Sequence, residues 1–258
     1  MSRRKSYFDG SFYPAASGEI ERYIEAFDKV KKELLHLHPK ALIVPHAGYV
    51  YSGFTANLAY SQLEPSRRRI IVIGPSHRVA FEGMSIALYD SYETPLGDLA
   101  IDRGYAAALQ ERFGIAFEDA MHREHSTEVQ MPFIKHYLPD AKVIEIVYGR
   151  QEPAELSKVI EFLLQDEANL VVISTDLSHF YTEEEANTLD TLCLKAIAEE
   201  DIEMLHRGCE ACGKIGVEAM VLAAKRLGLT SKLLDYRTSA WASNDTSRVV
   251  GYTSAIFY

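Results

Sequence analysis

Three apolar runs of this chain lead into a histidine: residues 41–45 into His46, 70–76 into His77 and 170–178 into His179. Imidazole is both a metal ligand and a proton carrier near neutral pH, so three converging rings would suit a metal or an acid–base site. The runs are short, β-branched and bounded by Gly or Pro, which predicts fully buried strands of an α/β sheet. Ligands in such sheets bind outside the carboxyl ends of the strands. The sequence therefore predicts a histidine-lined cleft at those ends.

The surroundings of each histidine sharpen this reading. In Pro45-His46-Ala47-Gly48-Tyr49-Val50-Tyr51-Ser52-Gly53 the histidine sits in a loop whose backbone can come close to a ligand, or in an ordinary tight turn. Gly74-Pro75-Ser76-His77 ends a strand. Adjacent Ser and His rarely face each other productively, and the chain has no Gly-x-Ser-x-Gly elbow, so a serine triad is disfavoured. Asp176 lies three residues before His179, where a tight turn would set carboxylate beside imidazole as a general acid–base pair. The competing role for Asp176 is to cap the turn after the strand. Glu124-His125-Ser126-Thr127-Glu128 resembles a helix start but packs three ionisable groups into five residues, making His125 a further candidate for the cleft. His36, His38, His122, His136 and His206 have no comparable context and read as surface groups. Cys209-x-x-Cys212 has zinc spacing, yet no second ligand pair exists at ribbon distance. Cys212, just before a helix, reads as a reactive thiol or a buried inert one.

The elements that must position these residues alternate between strand-like and helix-like. Helices are expected over 19–37, 54–63, 103–113, 127–137, 153–164, 183–198 and 215–227, and strands near 42, 71, 84–88, 142–147, 170–174, 233–238 and 248–258. Thr182 before three glutamates reads as an N-cap with an acidic first turn. The two closing strands lack an intervening helix, so the sheet should be mixed. The expectation is one three-layer α/β domain over residues 1–258, a mixed central sheet with helices on both faces.

Composition narrows the function. The 258 residues carry a net charge of −10, which argues against non-specific binding to nucleic acid or anionic membrane. The patches Arg3-Arg4-Lys5 and Arg67-Arg68-Arg69 are short and read as solvated. No apolar stretch reaches the roughly 20 residues that span a bilayer, and the N-terminus shows no secretory pattern. Three cysteines, few and odd in number, suggest a reducing, cytoplasmic setting.

His46-Ala47-Gly48-Tyr49 with Tyr51-Ser52-Gly53, Gly74-Pro75-Ser76-His77, Glu124-His125-Ser126-x-Glu128, Ser174-x-Asp176-x-Ser178-His179 and Cys212-Gly213 together resemble the Memo family. That family includes the AmmeMemoRadiSam system protein B and human members called mediator of cell motility. The loop 10–14 and Thr94-Pro95-Leu96-Gly97 fit it too, so the resemblance spans nearly the whole chain. It implies a fold similar to class III extradiol dioxygenases, which open catechol rings with non-haem Fe(II) held by two histidines and a carboxylate. Carried over, His46 and His77 would be metal ligands, and His179 with Asp176 would form the acid–base side. The implied metal is iron or copper. Human members resemble a pattern in which a cysteine ligand precedes the last strand; here 238–245 has none, and Asp245 is the substitute carboxylate that would favour Fe(II).

Three functions compete on this reading. The first is a metal-dependent redox enzyme of dioxygenase type acting on a small, phenolic substrate. The second is a non-catalytic protein binding a peptide or small ligand in the same cleft. The third is a hydrolase using zinc-activated water. The family name also implies a functional link to a radical SAM protein.

Overall fold

The computed structural model describes residues 2–30, 35–65 and 68–258. In chain order the elements are β1 (Arg3–Arg4), α1 (Ser17–Val30), β2 (Ala41–Val44), α2 (Tyr49–Tyr60), β3 (Arg69–Pro75), β4 (Met84–Ile86), β5 (Ser91–Tyr92), β6 (Leu99–Ala100) and α3 (Arg103–Phe113). There follow α4 (His125–Glu128), α5 (Met131–Tyr137), β7 (Lys142–Tyr148), α6 (Pro153–Leu164), β8 (Asn169–Ser174), β9 (His179–Tyr181) and α7 (Glu183–Glu199). The chain closes with α8 (Ile202–His206), α9 (Lys214–Leu227), β10 (Ser231–Thr238), α10 (Ala240–Ser243) and β11 (Val249–Phe257).

The main sheet runs β10-β11-β2-β8-β3-β7-β4, with β9 pairing on β11. Its centre, β2-β8-β3-β7, is parallel, and β4, β10 and β11 join antiparallel, so the sheet is mixed as expected. Alternate side chains of a strand face opposite ways, and here both faces are buried. Ala41, Ile43, Ile71, Ile73, Val171 and Ile173 enter one core with α3, α6, α7 and α9. Leu42, Val44, Ile70, Val72, Leu170 and Val172 enter the other with α1, α2 and α5. That is the three-layer α/β arrangement. It also explains why these strands read as continuous apolar runs rather than alternating ones.

Several boundaries differ from the sequence reading. The first helix is described over Ser17–Val30; residues 31–34 of the expected 19–37 span lie outside the described residues, and 35–37 are not helical. The expected helix 127–137 divides into α4 and α5, where Pro132 in the first turn of α5 starts a new helix. Thr182 does cap α7, in a reciprocal pair with Glu185. Arg3 is solvated, but Arg4 beside it is 2% exposed and paired with Glu128, which corrects the reading of that patch. Arg69 is likewise engaged, with Asp102, Asp166 and Asn169. Cys193 of α7 forms a disulfide with Cys209. The cysteine count therefore does not by itself point to a reducing compartment. No helix of the described residues is long and apolar enough to cross a membrane.

Candidate metal centre

β2, β8 and β3 are neighbours in the sheet and run parallel, so their carboxyl ends open side by side. His46 follows the first, Asp176 the second and His77 the third. α4 is drawn onto the same edge because Ser126 Oγ donates to Pro75 O at 2.7 Å. Gly74 makes this approach possible: a Cβ there would lie 2.7 Å from Ser126 Oγ. The result is a triangle of rings, with centroids 5.1 Å apart for His46 and His77, 5.4 Å for His46 and His125, and 4.6 Å for His77 and His125. One nitrogen from each lies within 4.8 Å of the others.

The hydrogen bonds fix which nitrogen each ring offers. Glu124, buried in the same cluster, accepts from the His77 backbone N–H at 2.7 Å and from Ser126 N–H at 3.2 Å. Its Oε1 also lies 3.2 Å from His77 Nδ1 and 2.8 Å from His125 Nδ1. Burial alone would raise the Glu124 pKa. The bonds and charges of His125 and His77 outweigh it and hold the group well below the usual carboxylate range. An ionised carboxylate can only accept, so the His77 ring turns a protonated Nδ1 toward it, and His125 Nδ1 lies at ion-pair distance from the same oxygen.

His46 reaches the same state by a different route. Ser174 Oγ donates its single proton to Ser126 O and accepts from Gln130 Nε2 at 3.0 Å. Toward His46 Nδ1, 3.0 Å away, it can therefore only accept. The Gln130 amide is itself oriented, donating to Pro45 O at 2.9 Å and accepting from Tyr60 OH at 3.1 Å. Burial first, then the neighbouring His77 and His125, keep the His46 pKa well below its usual value. It is neutral, with Nε2 bare.

Three imidazoles with one nitrogen of each within 4.8 Å of the others, and each Nδ1 close to an oxygen of Glu124 or Ser174, form a donor set suited to a borderline first-row divalent ion. The His46 side chain is 2% exposed and that of His77 30%. The centre is therefore closed on the sheet side and open toward His77.

The remaining candidates fall into different places. Asp176 does not hydrogen-bond His179; its Oδ1 accepts from the His46 backbone N–H at 2.8 Å, and its Oδ2 lies 4.0 Å from His46 Nε2. Burial raises its pKa against the effect of that bond. His179 is half-buried at the start of β9, close enough that a charge on it would lower the pKa values of Asp176 and His46. Asp245 is not part of the histidine cluster: it is exposed and accepts from Ser247 N–H and Oγ in its own turn.

A sulfur does reach the centre. Cys212 Sγ lies 3.3 Å from His46 Nε2 and accepts from Asp176 N–H at 3.2 Å. Gly213 lets it in, since a Cβ there would meet Thr175 Oγ1 at 2.7 Å. Burial, then the Asp176 charge, pushes the thiol up to about 12. Its Cys-x-x-Cys partner, Cys209, is occupied by Cys193, so that motif is not a ligand pair.

The sequence does not announce Glu124 as common acceptor, nor Ser174 with Gln130 as keepers of the His46 tautomer; the crowding of charge at 124–128 is the one signal for Glu124. His122 is also corrected. It is wholly buried, with Nδ1 2.8 Å from Glu145 Oε2 and Nε2 2.9 Å from Ser85 Oγ. That is triad geometry, but all three residues are buried within the protein.

Beside the centre lies an open groove of about 1020 Å³, lined by residues including Phe12, Arg22, Tyr23, Tyr49 and Tyr51. Phe12 belongs to both, its ring 4.6 Å from that of His125.

Comparison with known proteins agrees over the whole chain. A family model described as Memo-like protein matches residues 4–256. A MEMO1 family protein of Methanobrevibacter smithii is 34% identical, over 98% of this chain and 99% of its own length. Those of Archaeoglobus fulgidus and Aquifex aeolicus are each 32% identical, covering 96% and 100% of this chain and 97% and 100% of their own lengths. With strand-end histidines, the Glu124 cluster and Cys212-Gly213 all falling inside that match, the chain belongs to the Memo family.

Proposed function

We propose that this protein is a metal-dependent redox enzyme of dioxygenase type acting on a small phenolic substrate, with His46, His77 and His125 as the metal-holding residues. The observation that carries this reading is the cluster of three imidazoles, with one nitrogen of each within 4.8 Å of the others. Cys212 beside His46 would add a soft donor that suits iron or copper. A bound Fe(II) or copper ion would supply redox and Lewis-acid chemistry. The chain's own residues do the rest. Glu124, Ser174 and Gln130 hold the rings in one tautomer, and Asp176 fixes the His46 loop through its backbone N–H. His179, half-buried and without a side-chain hydrogen bond among the described residues, would carry a proton to or from a substrate hydroxyl. The open side at His77 gives substrate its way in.

Anaerobic titration of Fe(II) into the protein and into a His46→Ala/His77→Ala double variant tests this. Tight 1:1 binding lost in the variant, followed by O2 uptake with catechols, supports the reading. Three imidazoles also form the ligand set of hydrolytic zinc sites. Ester or phosphate-ester turnover with Zn(II) and no O2 uptake would replace oxidation with hydrolysis. If no metal binds, the groove beside Phe12 favours a ligand-binding role instead.

A further inference from the structure

Glu128 stands one turn after Glu124, wholly buried, and serves a different partner set. Its Oε1 accepts from Tyr7 N–H at 2.9 Å, Phe8 N–H at 2.8 Å and Tyr13 OH at 2.7 Å, and its Oε2 takes the Arg4 guanidinium. Every one of these donors belongs to residues 4–13. Arg4 is itself pinned, lying over the rings of Tyr7 and Tyr92 and donating to Glu124 O at 3.4 Å. The segment is also tied internally, with Gly10 N–H to Tyr13 O at 2.7 Å around a positive φ of 75°.

Two rings of this strap reach the metal centre. Phe12 lies 4.6 Å from the His125 ring and Phe8 5.7 Å from it. The far end is fastened as well, since Phe12 O accepts from Tyr49 N–H at 2.8 Å, at the start of the helix that follows His46. The strap therefore bridges the His125 and His46 sides, and Glu128 is its anchor. The one ion-pair contact of His125 with Glu124 does not by itself set the plane of the ring; the aromatic wall does.

We propose that Glu128 is a positioning residue of the centre, holding residues 4–13 as the wall that seats the His125 ring against His46 and His77. The proposal concerns ring placement; only its second readout rests on the metal reading.

The test compares full-length wild type with Glu128→Gln, Phe12→Ala and Leu163→Ala. Leu163 is a buried core residue of α6 on the opposite face of the sheet, and its loss destabilises the fold without touching the strap. In metal-free protein, the histidine ring nitrogens are observed by 15N NMR. In Glu128→Gln and Phe12→Ala the His125 signals should shift or collapse toward a tautomer mixture, and in Leu163→Ala they should not. Co(II) affinity should fall roughly tenfold or more in the first two, the scale seen when an outer partner of a ligand is lost. Unchanged His125 signals in Phe12→Ala, or an equal change in Leu163→Ala, would overturn the proposal. Phe12→Ala keeps the Arg4 ion pair and decides the matter alone if Glu128→Gln does not fold. If wild type binds no Co(II), the metal reading fails separately and the nitrogen spectra still decide this one.

Discussion

Replacing Ser174 with alanine removes one oxygen from the least exposed part of the centre. That oxygen accepts from His46 Nδ1–H and Gln130 Nε2–H and donates to Ser126 O. Gln130 keeps its bond to Pro45 O, but His46 Nδ1–H loses its hydrogen-bond acceptor in a site 2% exposed. An unsatisfied buried polar group costs about 1–3 kcal/mol, so His46 and Ser126 together make a loss of about 2–6 kcal/mol. That is a large share of a typical stability of about 5–15 kcal/mol. The second effect is on chemistry. Without an acceptor for Nδ1–H, the ring can place its proton on Nε2, and metal affinity should fall about 10–100-fold, as when other outer partners of ligating histidines are removed. Urea unfolding monitored by circular dichroism gives the first quantity, and competitive Zn(II) titration the second. A Ser174→Ala protein with unchanged unfolding midpoint and affinity within twofold of wild type would refute the tautomer argument.

Further outcomes follow from other parts of the structure. Gly213→Ala forces a Cβ into Thr175; it should cost about 1–3 kcal/mol and displace Cys212, checked by thermal unfolding and by thiol labelling. The Cys193–Cys209 disulfide closes a loop of sequence separation 16. Cys193→Ser should lower stability by about 3 kcal/mol, read as a smaller midpoint in urea. Asp190 is buried, accepting from Ser178 N–H and Tyr236 OH, and burial raises its pKa. A carboxyl whose folded-state value is raised holds its proton longer in the native state. Its contribution is thus fully present below the unfolded value of about 3.9 and is lost as pH rises through the folded value. The stability of wild type relative to Asp190→Asn should fall with rising pH above about 4, by no more than about 1.4 kcal/mol per unit; a flat difference would contradict it.

What could be read from the sequence, and what could not, divides along chain distance. Residues 41–44, 70–73 and 170–173 announce buried strands because both faces are covered, and a histidine or aspartate just past each end is visible by position alone. The order β2-β8-β3 is not local, so the sequence offers three separate imidazoles without saying which converge. His125 arrives from another segment, and His179 proves to stand aside from the triangle. Asp245 sits in a self-contained turn, its carboxylate bonded two residues onward, which the sequence does not announce. Arg4 and His122 looked solvated because their partners, Glu128 and Glu145, lie 124 and 23 residues away. Cys212 stood out as a motif, yet its approach to His46 spans 166 residues.

That last separation has a kinetic meaning. His46, His77, His125 and Cys212 come from well-separated parts of the chain and meet only once β2, β8 and β3 have paired in parallel. Such long-range closures are entropically late events in folding. A metal ion present during refolding would therefore find no partial site to nucleate. Its binding energy would appear almost entirely in the unfolding limb: escape from the native state slows, while the rate of reaching it stays as it was.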